Sequence, residues 1–339
     1  VLMAIKGLMT HVLFEKNDDF LLREFYDQME YLGISSYLKP ESFIEFEDSI
    51  GSLRFDNKVS GNKLEIKEKL SKEGVKEKDT NNIRYIPSYR EAVSLLKDET
   101  DAIIASGAQL PKLFHLFSQL VKNAKRAQPL YDYRDVLNVF YKYAGNRDLI
   151  IMPDKGEIAM NDASSALNSG IPLLLAFDYI VESIKPQQIT DSTFRIYHTR
   201  NQPYIVIEEP ELNCFPKTQK KMVSHIIDKI KYWNNKEEID FYCRILITTH
   251  SPYFLTSLNN LMYAYVVGEK YPVESNRIID EKYWLNPDDV SAYLLKVDGT
   301  CENIMDRKEK LIKAEKIDTV SREINEEFEK LTDLEFAGV

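Results

Sequence analysis

The sequence predicts an α/β fold, a sheet flanked by helices, and three segments carry that prediction. Tyr204-Ile205-Val206-Ile207 is a run of four β-favouring residues. It suits a central strand of a parallel sheet, covered on both faces. Arg244-Ile245-Leu246-Ile247-Thr248 is a second apolar strand. Between them, Met222, Val223, Ile226, Ile227, Ile230 and Trp233 recur at helical spacing from Lys217 to Trp233, with lysines opposite. A strand–helix–strand unit of this kind places both strand ends along one sheet edge, because crossovers are right-handed.

Polar residues gather at that edge. The first strand runs into Glu208-Glu209-Pro210-Glu211, the second into Thr249-His250-Ser251-Pro252. Carboxylates are costly to bury, so Glu208 and Glu209 belong where the strand emerges, which is where open α/β sheets bind ligands. One carboxylate beside a phosphate-bound magnesium and another beside an attacking water is what a nucleoside triphosphatase needs. A solvated acidic turn is the plainer alternative. Glu209 and His250 are expected to approach the same bound group.

The run IVIEEPELNCFP resembles the Walker B segment of the ABC/SMC-type ATPases, in particular the prokaryotic AAA-labelled branch. ITTHSP resembles that family's histidine switch. Asn161 to Gly170, reading NDASSALNSG, is similar to its signature loop. The three occur in the family's order over roughly residues 160 to 255. The resemblance implies a P-loop NTPase of ABC-ATPase head type: a mixed sheet flanked by helices, a helical subdomain and no long coiled coil. It implies ATP as substrate and Mg2+ as cofactor. Glu208 would hold magnesium through water, Glu209 would be the general base, and His250 would sense the γ-phosphate. Ser164, Ser165 and Ala166 would bind nucleotide held by a second subunit, so hydrolysis would depend on a homodimer or higher homo-oligomer. Related ATPases serve bacterial anti-phage systems such as PARIS, Septu and retron modules, which implies a separate effector, a nuclease or toxin.

The sequence departs from the family at named positions. Glu208 stands where most ABC ATPases carry aspartate, Ala166 replaces the signature glycine and Asn168 the glutamine. Pro172 follows closely, where only a first helical turn accommodates it easily. An ordinary Ser-capped helix entry explains the same residues. No G-x-x-x-x-G-K-[ST] occurs. The chain opens instead on an apolar helical stripe, Val1, Leu2, Ile5, Leu8, Met9 and Val12, as the helix after a P-loop would. The expectation is that a P-loop precedes Val1; the alternative is a protein that never had one.

Composition narrows the classes. No apolar run reaches the ~18 residues of a membrane span, so no membrane partner is expected. Cys214, Cys243 and Cys301 are scattered, which suits reduced thiols and a cytoplasmic setting. Cys243 reads as a small core residue and His225 as a solvated one on the polar face of its helix. A net charge of −10 does not indicate nucleic-acid binding, although it leaves room for a local groove. Lysines from Lys58 to Lys78 alternate with glutamates and read as a solvated helix or arm.

The expected domains are 1–90, the N-terminal part of the ATPase core; 91–160, a helical subdomain; 161–300, the core bearing signature, Walker B and switch; and 301–339, a C-terminal helix. Residues 1–32 read as helical and 41–69 as short strands, with Phe43, Phe46, Leu53 and Phe55 as core candidates. Met262 to Val267 reads as a further strand and Asp288-Asp289 as a cap. Arg84 and Arg90 suit nucleotide contact, buried pairing or plain solvation. Three functions remain open: a hydrolysing switch subunit, a non-hydrolysing nucleotide-gated scaffold, or the ATPase part of a nuclease of the overcoming-lysogenisation-defect type.

Overall fold

The computed structural model describes residues 83–96, 112–183, 204–234 and 243–336, with strand segments at 42–47, 51–58, 61–68, 188–190 and 196–198 and isolated residues (23, 26, 27, 29, 30, 39 and 103) elsewhere. In chain order the elements are β1 (Phe43–Glu47), β2 (Gly51–Lys58), β3 (Gly61–Glu68), β4 (Ile83–Ile86), α1 (Glu91–Leu96), α2 (Lys112–Ala127), β5 (Leu130–Tyr133) and α3 (Arg134–Leu137). Next come β6 (Val139–Ala144), β7 (Arg147–Met152), β8 (Gly156–Ala159), α4 (Ser165–Ser183), β9 (Gln188–Thr190), β10 (Ile196–His198), β11 (Tyr204–Glu208), α5 (Pro216–Asn234) and β12 (Arg244–Thr248). The remainder is α6 (Pro252–Gly268), α7 (Pro272–Ile278), β13 (Tyr293–Leu295), β14 (Cys301–Asn303), β15 (Met305–Asp306), β16 (Leu311–Ile312) and α8 (Thr319–Phe336). The chain divides into two compact units, residues 1–132, 139–208 and 232–247 in the first and 133–138, 209–231 and 248–339 in the second.

In the first unit, the sheet β12-β11-β4 holds the predicted strands, with β11 parallel to β4 from Tyr204 opposite Ile83 to Ile207 opposite Ile86. Ile205 and Ile207 are fully buried, as a covered strand requires. Helix α4 packs on α1, α2 and β4. Its near-continuous apolar run, with Ile171, Leu173, Leu174 and Phe177 buried, makes it the centre of this unit's core. Pro172 lies inside α4 rather than in its first turn. A mid-helix proline frees the carbonyl four residues back, and the Ser94 hydroxyl donates to that Asn168 carbonyl at 3.0 Å.

Residues 130–159 correct the expected helical subdomain. Among the described residues of 91–160, α1, α2 and the short α3 are helical, whereas β5-β6-β7-β8 form a sheet whose β6, β7 and β8 pair antiparallel. Alternating burial along β5 and β6 is the two-residue period of a half-covered sheet. Gly145 and Asn146, both at positive φ, close the β6–β7 hairpin as a two-residue turn of the type that matches strand twist. The meander β1-β2-β3 places strand over 61–68, within the lysine-rich stretch that reads from sequence as a helix or arm. Its register sets Glu65 opposite Arg54 and Lys63 opposite Asp56. Phe55 is buried, but Phe43 is 49% exposed under the Arg54 guanidinium. The side chains of Phe46 and Leu53, and most of the expected N-terminal helix, lie outside the described residues.

The second unit is built on α5 and α6. Met222, Val223, Ile226 and Ile227 form the buried face of α5. His225 is half-buried, its ring edge-on to Tyr133 at 6.4 Å, so it is not the solvated residue expected. Met262–Val267 is helix, not strand: Ser251 caps α6, Pro252 opens it, and the apolar run simply continues. Leu255 and Met262 of α6 share a core with Ile304, Ile312 and Ala314. The cap of the short Pro287–Asp289 turn is Asn286, whose side chain accepts from the Asp288 N–H, rather than Asp288 or Asp289. Helix α8 lies within the expected C-terminal stretch, and Ile324, Phe328 and Leu331 on it are exposed. Cys243 is buried, and burial pushes its thiol up to about 12. Among the described residues no helix is long and apolar enough to cross a membrane.

Candidate active site

Glu208 closes β11 in the first unit. Its Oε2 accepts from the Ser88 N–H at 3.2 Å and the Ser88 hydroxyl at 3.3 Å. The Tyr85 hydroxyl is a further partner. Burial first, and then this hydrogen bond to Glu208, hold the Tyr85 phenol well above its usual range, so it is fixed as a donor. Arg90 is fully buried and donates Nε to the Ser169 carbonyl at 3.1 Å and Nη1 to the carbonyls of Pro87 at 3.2 Å and Glu208 at 2.9 Å. A guanidinium out of water needs such acceptors. Arg90 therefore braces the backbone behind Glu208 and is neither a solvated residue nor one free to reach nucleotide. Burial lowers the Arg84 guanidinium below its usual value.

Ser164, Ser165 and Ala166 lie at the opening of α4 in the same unit. The Ser164 carbonyl accepts from the N–H groups of Leu167 at 3.0 Å and Asn168 at 2.9 Å, and α4 begins at Ser165. Asn168 Nδ2 donates to the Ala163 carbonyl at 3.0 Å and ties down the preceding turn. Both serines are exposed and Ala166 is half-buried within the helix, so no left-handed conformation is asked of it. Exposed hydroxyls at the positive end of a 19-residue helix suit an anion.

In the second unit Glu209 and His250 do come together. His250 Nε2 lies 3.7 Å from Glu209 Oε1. The imidazole is 86% exposed and the Glu209 side chain 34%, so both are open to an incoming group. Glu209 holds φ at +43°, outside the usual range for a non-glycine residue and a strain on the order of 1–3 kcal/mol. Its N–H donates to the Thr248 carbonyl at 2.9 Å. The turn that follows closes with Leu212 N–H on the Glu209 carbonyl and Cys214 N–H on that of Glu211.

Sequence reasoning did not assign Glu211, Ser88, Tyr85 or Gln219. Glu211 Oε1 accepts from the Thr249 hydroxyl and from the His250 N–H, both at 2.7 Å. Ser251 N–H donates to Thr249 Oγ1 at 3.1 Å, and Ser251 Oγ pairs with Gln219 Oε1 at 2.5 Å. Gln219 Nε2 in turn donates to the Cys214 carbonyl at 2.9 Å. The signal for Glu211 was its place two residues after Glu209; Ser88 and Tyr85 lie in the segment 84–90, of which the sequence drew attention only to the arginines.

Among the described residues no cluster of three or more His, Cys, Asp or Glu could hold a metal unaided. Magnesium asks for less, one or two carboxylates with phosphates and waters. An ionised carboxylate has about four acceptor positions, so Glu208 with its three donors keeps capacity for a hydrated ion, and the donor set fits. No curated protein matches the chain. The AAA ATPase domain family matches residues 20–255, more than half the sequence and every residue named in this site. The chain thus belongs to the AAA ATPase domain family, P-loop ATPases of α/β fold whose substrate is ATP.

Proposed function

We propose that the protein binds and hydrolyses ATP as a dimer-forming switch, with Glu209 as general base and His250 as the sensor of the γ-phosphate. The observation that carries this reading is the 3.7 Å approach of His250 Nε2 to Glu209 Oε1 at the ends of two successive strands. A carboxylate there can orient water and accept its proton as oxygen attacks the γ-phosphorus. The imidazole can follow that phosphate and lose its partner when phosphate leaves. Magnesium, when bound, would supply charge neutralisation on the β- and γ-phosphates, with Glu208 holding its water shell. Ser164, Ser165 and the Ala166 N–H would complete the site of a second subunit through the opening of α4. Control of a separate effector, in anti-phage defence, is supported by the sequence resemblance alone.

The test is Glu209→Gln. The variant should bind ATP as the wild type does and hydrolyse it at least about 10²-fold more slowly. Unchanged turnover would remove Glu209 as the base. ATP-dependent assembly without phosphate release by the wild type would favour the scaffold, in which the nucleotide only holds subunits together.

A further inference from the structure

We infer that Glu211 is a positioning residue that fixes the switch histidine against the general base, an inference that rests on the roles proposed for Glu209 and His250. Its Oε1 takes two hydrogen bonds at 2.7 Å, one from the Thr249 hydroxyl and one from the His250 main-chain N–H. Bonds to an ionised acceptor are short and strong. The His250 imidazole is 86% exposed, so packing does little to hold it. What sets its direction is the backbone at 250, and Glu211 grips that backbone at the histidine's own N–H.

The grip comes from the turn that bears the base. Glu209 and Glu211 flank Pro210, and the turn closes through the Glu209 and Glu211 carbonyls. A shift of this turn therefore carries Glu209 and the tether of His250 together. Thr249 extends the hold, since its hydroxyl donates to Glu211 and accepts from Ser251 N–H. Glu211 Oε2 is buried and has no hydrogen-bond partner among the described residues. A carboxylate oxygen kept from water in this way is costly. The cost is consistent with a group retained for the geometry it imposes.

The variants separate shape from charge. Glu211→Gln keeps an oxygen for both donors but loses the charge, whereas Glu211→Ala loses the acceptor. Glu211→Ala should lower kcat by about 10- to 100-fold, the scale of a misplaced catalytic group, with ADP affinity unchanged. Glu211→Gln should recover most of that loss. In a His250→Ala background, Glu211→Ala should cost no more than about twofold, because its route of action is already gone. Equal losses in both backgrounds would overturn the inference.

A second measurement does not need turnover. With 15N-histidine the chain gives five backbone amide signals, and His250→Ala identifies the one at 250. That amide proton should lie downfield, move upfield in Glu211→Gln and further upfield in Glu211→Ala. An unmoved signal would overturn the inference even if Glu211→Ala were too unstable to assay. Wild-type turnover in both Glu209→Gln and His250→Ala would instead sink the proposed roles, while the amide shift would still report whether Glu211 holds the segment.

Discussion

Glu209 shows how far a single residue can be read. Its type and its place after four β-favouring residues put it at the strand end, and there it lies, 3.7 Å from His250. Its left-handed backbone was not legible, because nothing in a Glu-Glu-Pro-Glu string requires positive φ. Gly268 illustrates the opposite case, a residue whose reason appears only in three dimensions. It ends α6, and a Cβ built there would fall among the ring atoms of Trp284. The indole cannot swing aside freely, since its Nε1–H donates to the Ile279 carbonyl at 2.7 Å. Gly268→Ala should therefore destabilise the protein by about 1–3 kcal/mol through overpacking, despite the better helix propensity of alanine. Urea unfolding would measure it, and a variant as stable as the wild type would show that Trp284 repacks.

Among elements, β11, α5 and β12 were legible because periodicity and β-branching agreed over their whole length. The β5–β8 sheet was missed where they did not. Tyrosine, phenylalanine and leucine between 130 and 151 fill a helix face about as readily as a strand face, and the Gly145-Asn146 turn was the discriminating signal. The small β13–β14 hairpin pairs through its backbone and carries a cluster of charges beside the turn. Lys296 Nζ lies 2.8 Å from Glu302 Oε2, and Lys316 Nζ bonds Oε1. These hydrogen bonds, Lys296 first and Lys316 next, pull the Glu302 carboxyl from an ordinary 4.5 to about 2. A depressed carboxyl favours the folded state above its unfolded value, and the contribution fades as pH falls from 4.5 toward 2. The unfolding temperature of the wild type should therefore exceed that of Glu302→Gln at neutral pH, and the gap should close across that window. Added salt should narrow it as well, because the site is exposed. A gap independent of pH would exclude the lysine pairing as its source.

At the scale of the whole molecule, the proposed chemistry is divided between residues that differ in kind. Glu209 and His250 stand together within one chain, whereas Ser164 and Ser165 are exposed at the opening of α4. If they serve the nucleotide of a second subunit, activity belongs to the pair rather than to the chain. Specific ATPase activity should then fall on dilution, because a monomer holds no complete site, and sedimentation should show ATP-dependent association over the same concentrations. Subunit mixing makes the test sharper. Ser165→Arg places a bulky cation where the partner's phosphate would sit, and Glu209→Gln removes the base, so each homodimer is inactive. A mixed dimer has one site with both defects and one with neither. Equal mixing should restore about a quarter of wild-type activity, half the dimers being mixed and each carrying one intact site, if the two sites fire independently. Recovery should vanish when either variant is in large excess. Activity that is constant on dilution, with no recovery at any mixing ratio, would return Ser164 and Ser165 to the role of an ordinary helix entry.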